Sequence, residues 1–404
     1  MSGDGVSVIF GPPILWHNPC SVATMIEGQD IVCFSNDWDG DPLSKKHIMT
    51  RLAKRNRVLW VNSLAIRKPK ATLYDAKRVL KKLGDFSRGS QRVDDGIQVC
   101  APLAIPFYAN KVGRWLNRES LRWSVRRQCS KLGFRDPITW TFDPASADVV
   151  GSFGERAIVY HCVDEYSEFT GVGKTALLEM EKRLMAKADC VVVSSDHLRT
   201  SKRSHNVNTF LVTHGVDLDH FRKACDTQTQ VPDEMAAFKH PIIGFFGLVA
   251  DWIDLELIRF LAESRPHWDF VLIGKVVTDT RIFDGIGNIH MIGRKPYQLL
   301  PNYAKAFDAA MVPFAVNELT LAANPLKMRE YLAAGLPVVA TALPEAERMK
   351  AVLHVARDKS EFLRQLDSII ESGKTGPQMK ISETMECESW DHKVEELSRI
   401  FLQI

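Results

Sequence analysis

Short apolar runs alternate with amphipathic stretches along most of the chain. Ten runs read as strands: Gln29–Phe34, Arg57–Asn62, Ala157–Val163, Cys190–Ser194, Thr209–Thr213, Ile242–Leu248, Phe270–Gly274, Asn288–Ile292, Ala309–Phe314 and Pro337–Thr341. Several are continuously apolar, the pattern of strands buried on both faces of a parallel sheet. Helical periodicity fills the intervals at Leu177–Ala188, Asp254–Ser264, Tyr297–Phe307, Leu326–Ala334 and Lys359–Glu371. Strand and helix in alternation predict βαβ units with right-handed crossovers.

The alternation fades between Ala224 and His240, a stretch rich in Thr, Gln and Asp, and resumes at Ile242. The pattern predicts an α/β protein of two Rossmann-like, doubly wound domains facing a cleft, residues 1–225 and 226–380. Residues 381–404 carry an amphipathic helix that docks on its own domain or crosses back to the first. In such folds ligands bind at the carboxyl ends of the strands and between the domains.

Composition adds exclusions. Of 404 residues, 45% are hydrophobic and 25% charged, which is globular composition and not that of a disordered or fibrous chain. No uncharged apolar run approaches the roughly 18 residues of a spanning helix. Met1-Ser2-Gly3-Asp4 lacks a basic start, so no signal peptide is expected. The eight cysteines form no C-x-x-C pair and are expected to be reduced, mostly buried thiols of a cytoplasmic protein.

Charge is uneven. Residues 1–225 hold 33 Lys and Arg against 24 Asp and Glu, whereas residues 226–404 hold 19 against 25. Residues 67–135 alone hold 17 against 5. There, Tyr74–Leu83 and Val112–Arg127 set apolar residues and Trp at helical spacing among Lys and Arg, the pattern of helices lying on an anionic membrane surface. Nucleic acid would use the same charges, but no binding module for it is readable, and no nucleic-acid partner is expected.

The richest segment runs from Asn324 to Val339. Asn324 before Pro325 is a helix-start signal, and Gly335 followed by Pro337 is a stop. The spacing predicts a helix of about ten residues from Pro325, capped by Asn324, with Lys327 third. A cation in a first turn opposes the helix dipole, at about 0.3–1 kcal/mol, unless an anion sits at the helix mouth. Backbone N–H groups and Lys327 would then hold a diphosphate, and Glu330, one turn on, would reach ribose hydroxyls.

Asp164 closes the apolar run Ala157–Val163, which places it at a strand end facing the cleft, where partial desolvation raises a carboxylate towards a useful base. A helix cap is the alternative role. His161, on the same run, reads as a core histidine. Asp37, Asp39 and Asp41 have the spacing that opens a calcium loop, but Pro42 stands where Gly is needed and Ile48 where Glu is needed, so no metal is expected. The G-x-G-x-x-G, P-loop, zincin and nucleophile-elbow motifs are absent.

Glu330-Tyr331-Leu332-Ala333-Ala334-Gly335-Leu336-Pro337-Val338-Val339-Ala340 resembles the donor-site helix and turn of GT-B glycosyltransferases. Thr213-His214-Gly215-Val216-Asp217 resembles the segment closing their first domain, and Gly244-Phe245-Phe246-Gly247-Leu248-Val249 the strand and loop opening their second. Gly293-Arg294 resembles the place where a basic side chain meets the donor phosphate. The Asp164 segment is similar to one in teichuronic acid-type and xanthan glucuronosyltransferase-type enzymes, where an Asp faces the acceptor. Retaining members usually carry a second Glu eight residues before the first; here that position is Ala322.

The resemblance implies a metal-independent transferase without a cofactor, moving a sugar from a nucleotide sugar, UDP-linked, to a saccharide or lipid-linked saccharide in cell-surface polysaccharide synthesis. It would work in the cytoplasm at the inner membrane face. Asp164 would be catalytic; Gly247, Arg294, Asn324, Lys327 and Glu330 would bind the donor; Asp37, Lys45 and His47 would lie on the acceptor side. A sugar-nucleotide epimerase of the same fold, or a non-catalytic protein that keeps the fold and binds a membrane or another transferase, are the alternatives.

Overall fold

The computed structural model describes residues 25–40, 42–62, 90–102, 111–166 and 174–404. These residues form two sheets. The first contains β1 (Asp30–Phe34), β2 (Arg57–Val61), β3 (Ser90–Asp94), β4 (Ile97–Cys100), β5 (Ile138–Thr141), β6 (Ala157–Cys162), β7 (Cys190–Val193) and β8 (Thr209–Leu211). The second contains β9 (Ile242–Phe246), β10 (Asp269–Ile273), β11 (Ile289–Met291), β12 (Ala309–Val312), β13 (Val338–Thr341) and β14 (His354–Ala356). All ten expected strands are present, nine of them shorter by a residue or two at their ends and β10 shifted by one residue. The chain also forms β3, β4, β5 and β14, which its apolar pattern does not announce.

The strand orders are β3-β4-β2-β1-β5-β6-β7-β8 and β11-β10-β9-β12-β13-β14. Pairing is parallel throughout, except for the β3–β4 edge hairpin. In each sheet the winding reverses once, between β1 and β5 and between β9 and β12. A reversal opens a crevice at the strand carboxyl ends, because the loops on its two sides turn to opposite faces. The two crevices face each other.

Both faces of both sheets are covered, which explains strands such as Ile31–Phe34 and Ile242–Phe246 that are buried at every position. The last helix, Trp390–Phe401, packs on the first sheet: Trp390, Val394, Leu397 and Phe401 share one core with Ile31, Trp60 and Trp140. The chain therefore crosses between the domains twice, and the crossings touch. Val216 N–H donates to Glu388 O at 2.9 Å, and Trp390 N–H to Val216 O at 3.1 Å. Gly215 allows this contact, since a Cβ there would lie 2.9 Å from Trp390.

Of the basic region, residues 67–89 and 103–110 lie outside the described residues, including the Tyr74–Leu83 segment. The Val112–Arg127 segment lies within one helix, Lys111–Leu132, whose Trp115, Leu116 and Trp123 are exposed. Among the described cysteines all are free thiols; Cys33, Cys100, Cys162 and Cys190 are buried, and Cys387 is exposed. No helix among the described residues is long and apolar enough to cross a membrane.

Candidate active site in the interdomain cleft

A cleft of about 450 Å³ lies between the domains, lined by strand-end loops of both sheets. Its second-domain wall begins where β9 and β10 end side by side. Gly247 N–H donates to Ile273 O at 2.8 Å. The approach is so close that a Cβ on Gly274 would lie 1.7 Å from Gly247 O, so only glycine fits there. Arg294, after β11, and the Asn324–Lys327 segment complete this wall.

The helix Leu326–Ala333 opens on the cleft, and Tyr331 fixes its position. The Tyr331 hydroxyl accepts from Phe246 N–H at 2.7 Å and donates to Phe246 O at 3.2 Å, which ties the helix to the end of β9. Lys327 Nζ lies 2.6 Å from Glu330 Oε2 and 4.9 Å from the centre of the Phe246 ring. Lysine and glutamate thus face the cleft together, already paired.

The expected cap is corrected by the structure. The helix starts one residue later than predicted, with Pro325 at the cap position and no side-chain cap bond, and it spans eight residues. Lys327 is its second residue. Asn324 serves tertiary partners: its Nδ2 donates to Ser194 O at 2.7 Å in the first domain, and its Oδ1 accepts from Arg329 Nη1 at 2.7 Å. A buried carbonyl left without a donor, and one buried guanidinium N–H left without an acceptor, would cost more than an uncapped first turn beside the open cleft. Arg329 also binds Glu345 and Glu388, at 3.0 and 2.8 Å, and this buried cluster joins the helix to the crossing point.

On the first-domain wall, Lys45 and Asp164 line the cleft. Lys45 is the second residue of the helix Ser44–Ala53; Asp164 follows β6 and Asp143 follows β5, so they come from both sides of the winding reversal. Burial pushes the Asp164 carboxyl up to about 6, and Lys45 pulls it back. Burial lowers the Lys45 ammonium, while Asp164 and Asp143 hold it up. Its Nζ lies 5.4 and 5.9 Å from the ring centres of Tyr166 and Phe142. Behind this group, Lys202 Nζ bonds Glu165 Oε2 and Glu181 Oε2, each at 2.8 Å, and Tyr160 donates to Glu181 at 2.6 Å.

His47 and Asp37 are not among the lining residues. The helix that brings Lys45 to the cleft turns His47 away, onto Trp390, with ring centres 5.5 Å apart. Burial there lowers the imidazole to about 4. Asp37 lies in the loop after β1, where its backbone carbonyl accepts from Gly40 N–H at 3.3 Å. His161 is buried in the first core, 4.9 Å from the Phe142 ring, with its Nδ1 unpartnered and its imidazole lowered to about 3 by burial.

Several lining residues escaped the sequence reading. Lys275 follows Gly274, and the strand–glycine–cation order already used for Gly293-Arg294 would have found it. Lys295 and Tyr297 follow Arg294 on the same loop; Lys295 is tied at 2.7 Å to Glu234. Trp252 and Phe314 add apolar surface. The cleft thus gathers five cations, Lys45, Lys275, Arg294, Lys295 and Lys327, against two carboxylates, Asp164 and Glu330. Among the described residues no group of three or more His, Cys, Asp or Glu is arranged to hold a metal. Asp41 lies outside them.

Residues 240–372 match the profile of the family described as glycosyl transferases group 1. The chain is 26% identical over 216 residues to TuaH of Bacillus subtilis (strain 168), described as a teichuronic acid biosynthesis glycosyltransferase. That alignment covers 48% of this chain and 52% of TuaH, about half the length of each. Sucrose-phosphate synthase from Thermosynechococcus elongatus superposes with a TM-score of 0.65 at 15% identity, over 93% of this chain and 98% of that one. Anabaena HepE, solved in complex with UDP-glucose, superposes with a TM-score of 0.63 at 14% identity, over 93% and 100%. The chain therefore has the GT-B fold, and its second domain matches glycosyl transferases group 1.

Proposed function

We propose that this chain is a glycosyltransferase that takes a sugar from a UDP-linked donor and passes it to a saccharide or lipid-linked saccharide hydroxyl in cell-surface polysaccharide synthesis. One observation carries the reading: Lys327 and Glu330, at the start of a helix that opens on the cleft, face a first-domain wall that holds a half-buried carboxylate, Asp164. The helix N-terminus and Lys327, with Arg294, suit a diphosphate. Glu330 suits ribose hydroxyls once a phosphate takes Lys327 from it. Gly247 leaves room, since a Cβ there would meet Lys327 Cε at 3.4 Å. Asn324 acts by holding Arg329 and the helix start.

In an inverting reaction, Asp164 takes the proton of the acceptor hydroxyl as its oxygen attacks the anomeric carbon and the nucleoside diphosphate leaves with the bonding electrons. In a retaining reaction it orients the acceptor. The negative charge that develops on the leaving group meets Lys327, Arg294 and the helix dipole, which is why the reading includes no metal. Expulsion of water from the cleft protects the donor from hydrolysis.

The acceptor side is read as lying at the inner face of an anionic membrane. The helix Lys111–Leu132 supports this, with exposed Trp115 and Trp123 beside Arg118, Arg122, Arg126 and Arg127. The test is incubation with a panel of nucleotide sugars and saccharide acceptors without metal. Release of nucleoside diphosphate that requires both substrates supports the reading; release or sugar conversion without an acceptor replaces it with an epimerase.

A further inference from the structure

The wall that carries Asp164 has a second charged residue with no place in the transfer so far. Lys45 reaches the cleft from the helix Ser44–Ala53, across the winding reversal from β6. No hydrogen bond from its ammonium to a described residue is present, and the Tyr166 and Phe142 rings flank it. Resting on the reading of Asp164 as the group that meets the acceptor, we propose that Lys45 is a positioning residue that acts through Asp164, keeping its carboxylate ionised in the cleft.

The surroundings of Asp164 leave this task to Lys45. Asp143, after β5, is half-buried, its carboxyl is raised by desolvation, and it supplies no positive charge to Asp164. Cys162 and Tyr166 flank Asp164 on its own segment, and Cys33 faces Lys45 from β1; burial raises all three well above neutrality, so none supplies a charge. His161 is held neutral by burial. Glu165 and Glu181 are occupied by Lys202. Across the cleft, Lys327 is paired with Glu330, and Arg294 stands on the second-domain wall beside the proposed diphosphate site. Lys45 is the cation that lowers Asp164 from its own wall, and the aromatic rings keep it there without a direct bond. An ammonium bonded directly to the carboxylate would occupy the oxygen that must accept a proton; one on the same wall without that bond supplies charge and leaves the oxygen open.

The test is the titration of Asp164, read by carbon NMR of protein labelled at the aspartate side-chain carboxyl carbon. The signal is assigned by its loss in Asp164→Asn. In the unmodified chain the midpoint is expected at about 6. Lys45→Met should raise it by about 1–3 pH units, the usual effect of removing an opposite charge beside a carboxylate. Lys45→Arg should return it close to the original value, and thermal unfolding reports whether each variant is folded; Lys45→Gln replaces Lys45→Met if the latter does not fold. An unmoved midpoint in a folded Lys45→Met or Lys45→Gln overturns the proposal. The measurement uses no sugar substrate, so the two readings fail separately. A shifted midpoint in a chain that transfers no sugar rejects the transferase and keeps Lys45; an unmoved midpoint in an active chain does the reverse.

Discussion

Lys327 Nζ and Glu330 Oε2 lie 2.6 Å apart, one helical turn from each other, at the wall of the cleft. Each member satisfies the other's charge. Under the proposed reading a phosphate takes Lys327 from Glu330, so substitutions at the two residues should have linked effects.

Lys327→Ala therefore removes a charge-assisted bond to the diphosphate and leaves Glu330 as an uncompensated negative charge beside it. Affinity for a nucleoside diphosphate should fall by about 1.5–3 kcal/mol. Glu330→Gln should cost less, since the amide still reaches a ribose hydroxyl. Calorimetric titration of the two variants separates the effects, and equal affinity in Lys327→Ala and the parent chain would remove Lys327 from the site.

Asp164→Asn should leave nucleotide affinity unchanged and reduce turnover by about 10²–10⁴-fold, the usual contribution of a positioned base. Full turnover in this variant would exclude Asp164 as the base.

Gly274→Ala, at the wall of the cleft, should weaken nucleotide binding by moving backbone rather than by removing a side-chain contact. The new methyl has no room beside Gly247 O, at 1.7 Å, so β9 and β10 must part at their cleft ends and carry Gly247 with them. A loss of about 1–3 kcal/mol in stability is expected, as for overpacking elsewhere. Chemical denaturation and nucleotide titration of the same sample report both effects; unchanged binding would show that the strand ends do not shape the site.

The sheets were readable because strands buried on both faces are apolar at every position, and the runs at β1, β2, β6, β7, β9, β10, β12 and β13 announce themselves. The missed strands lack that signal. Ser90–Asp94 is an exposed edge strand with polar residues, although the Asp95-Gly96 pair that turns it into β4 is a hairpin signal that could have been used. Ile138–Thr141 and His354–Ala356 are too short to show a period. At the site, Lys327, Glu330, Arg294, Gly247, Asp164 and Lys45 meet in one cleft, as residues at strand ends of doubly wound sheets do. Asn324 was misread because a local cap rule lost to partners 130 and 5 residues away, Ser194 and Arg329. His47 was misread because two residues along a helix turn a side chain to another face.

Stability should fall in acid, with buried histidines as one cause. The His161 imidazole titrates at about 3 in the fold, against an ordinary 6.5, so the unfolded chain binds the proton first. The stabilising effect of its neutral form is complete above about pH 6.5 and is lost as the pH falls towards 3; His47, lowered to about 4, acts in the same direction. His161→Phe removes one such site and leaves the ring stacking on Phe142. Relative to the parent, the variant should gain about 2 kcal/mol on going from pH 7 to pH 5. Denaturant unfolding at the two pH values checks this, and parallel loss in both chains would show that His161 titrates normally.

The central claim, that a nucleoside diphosphate binds in the cleft at the start of the Leu326–Ala333 helix, is tested most directly by hydrogen–deuterium exchange with and without UDP, in the absence of metal. The account predicts slower exchange around Phe246–Leu248, Arg294 and Asn324–Glu330 on adding UDP, and no such change in Lys327→Ala. Binding without protection at these segments, or no binding of UDP, GDP or ADP at any concentration that protects a control nucleotide-binding protein, would contradict it.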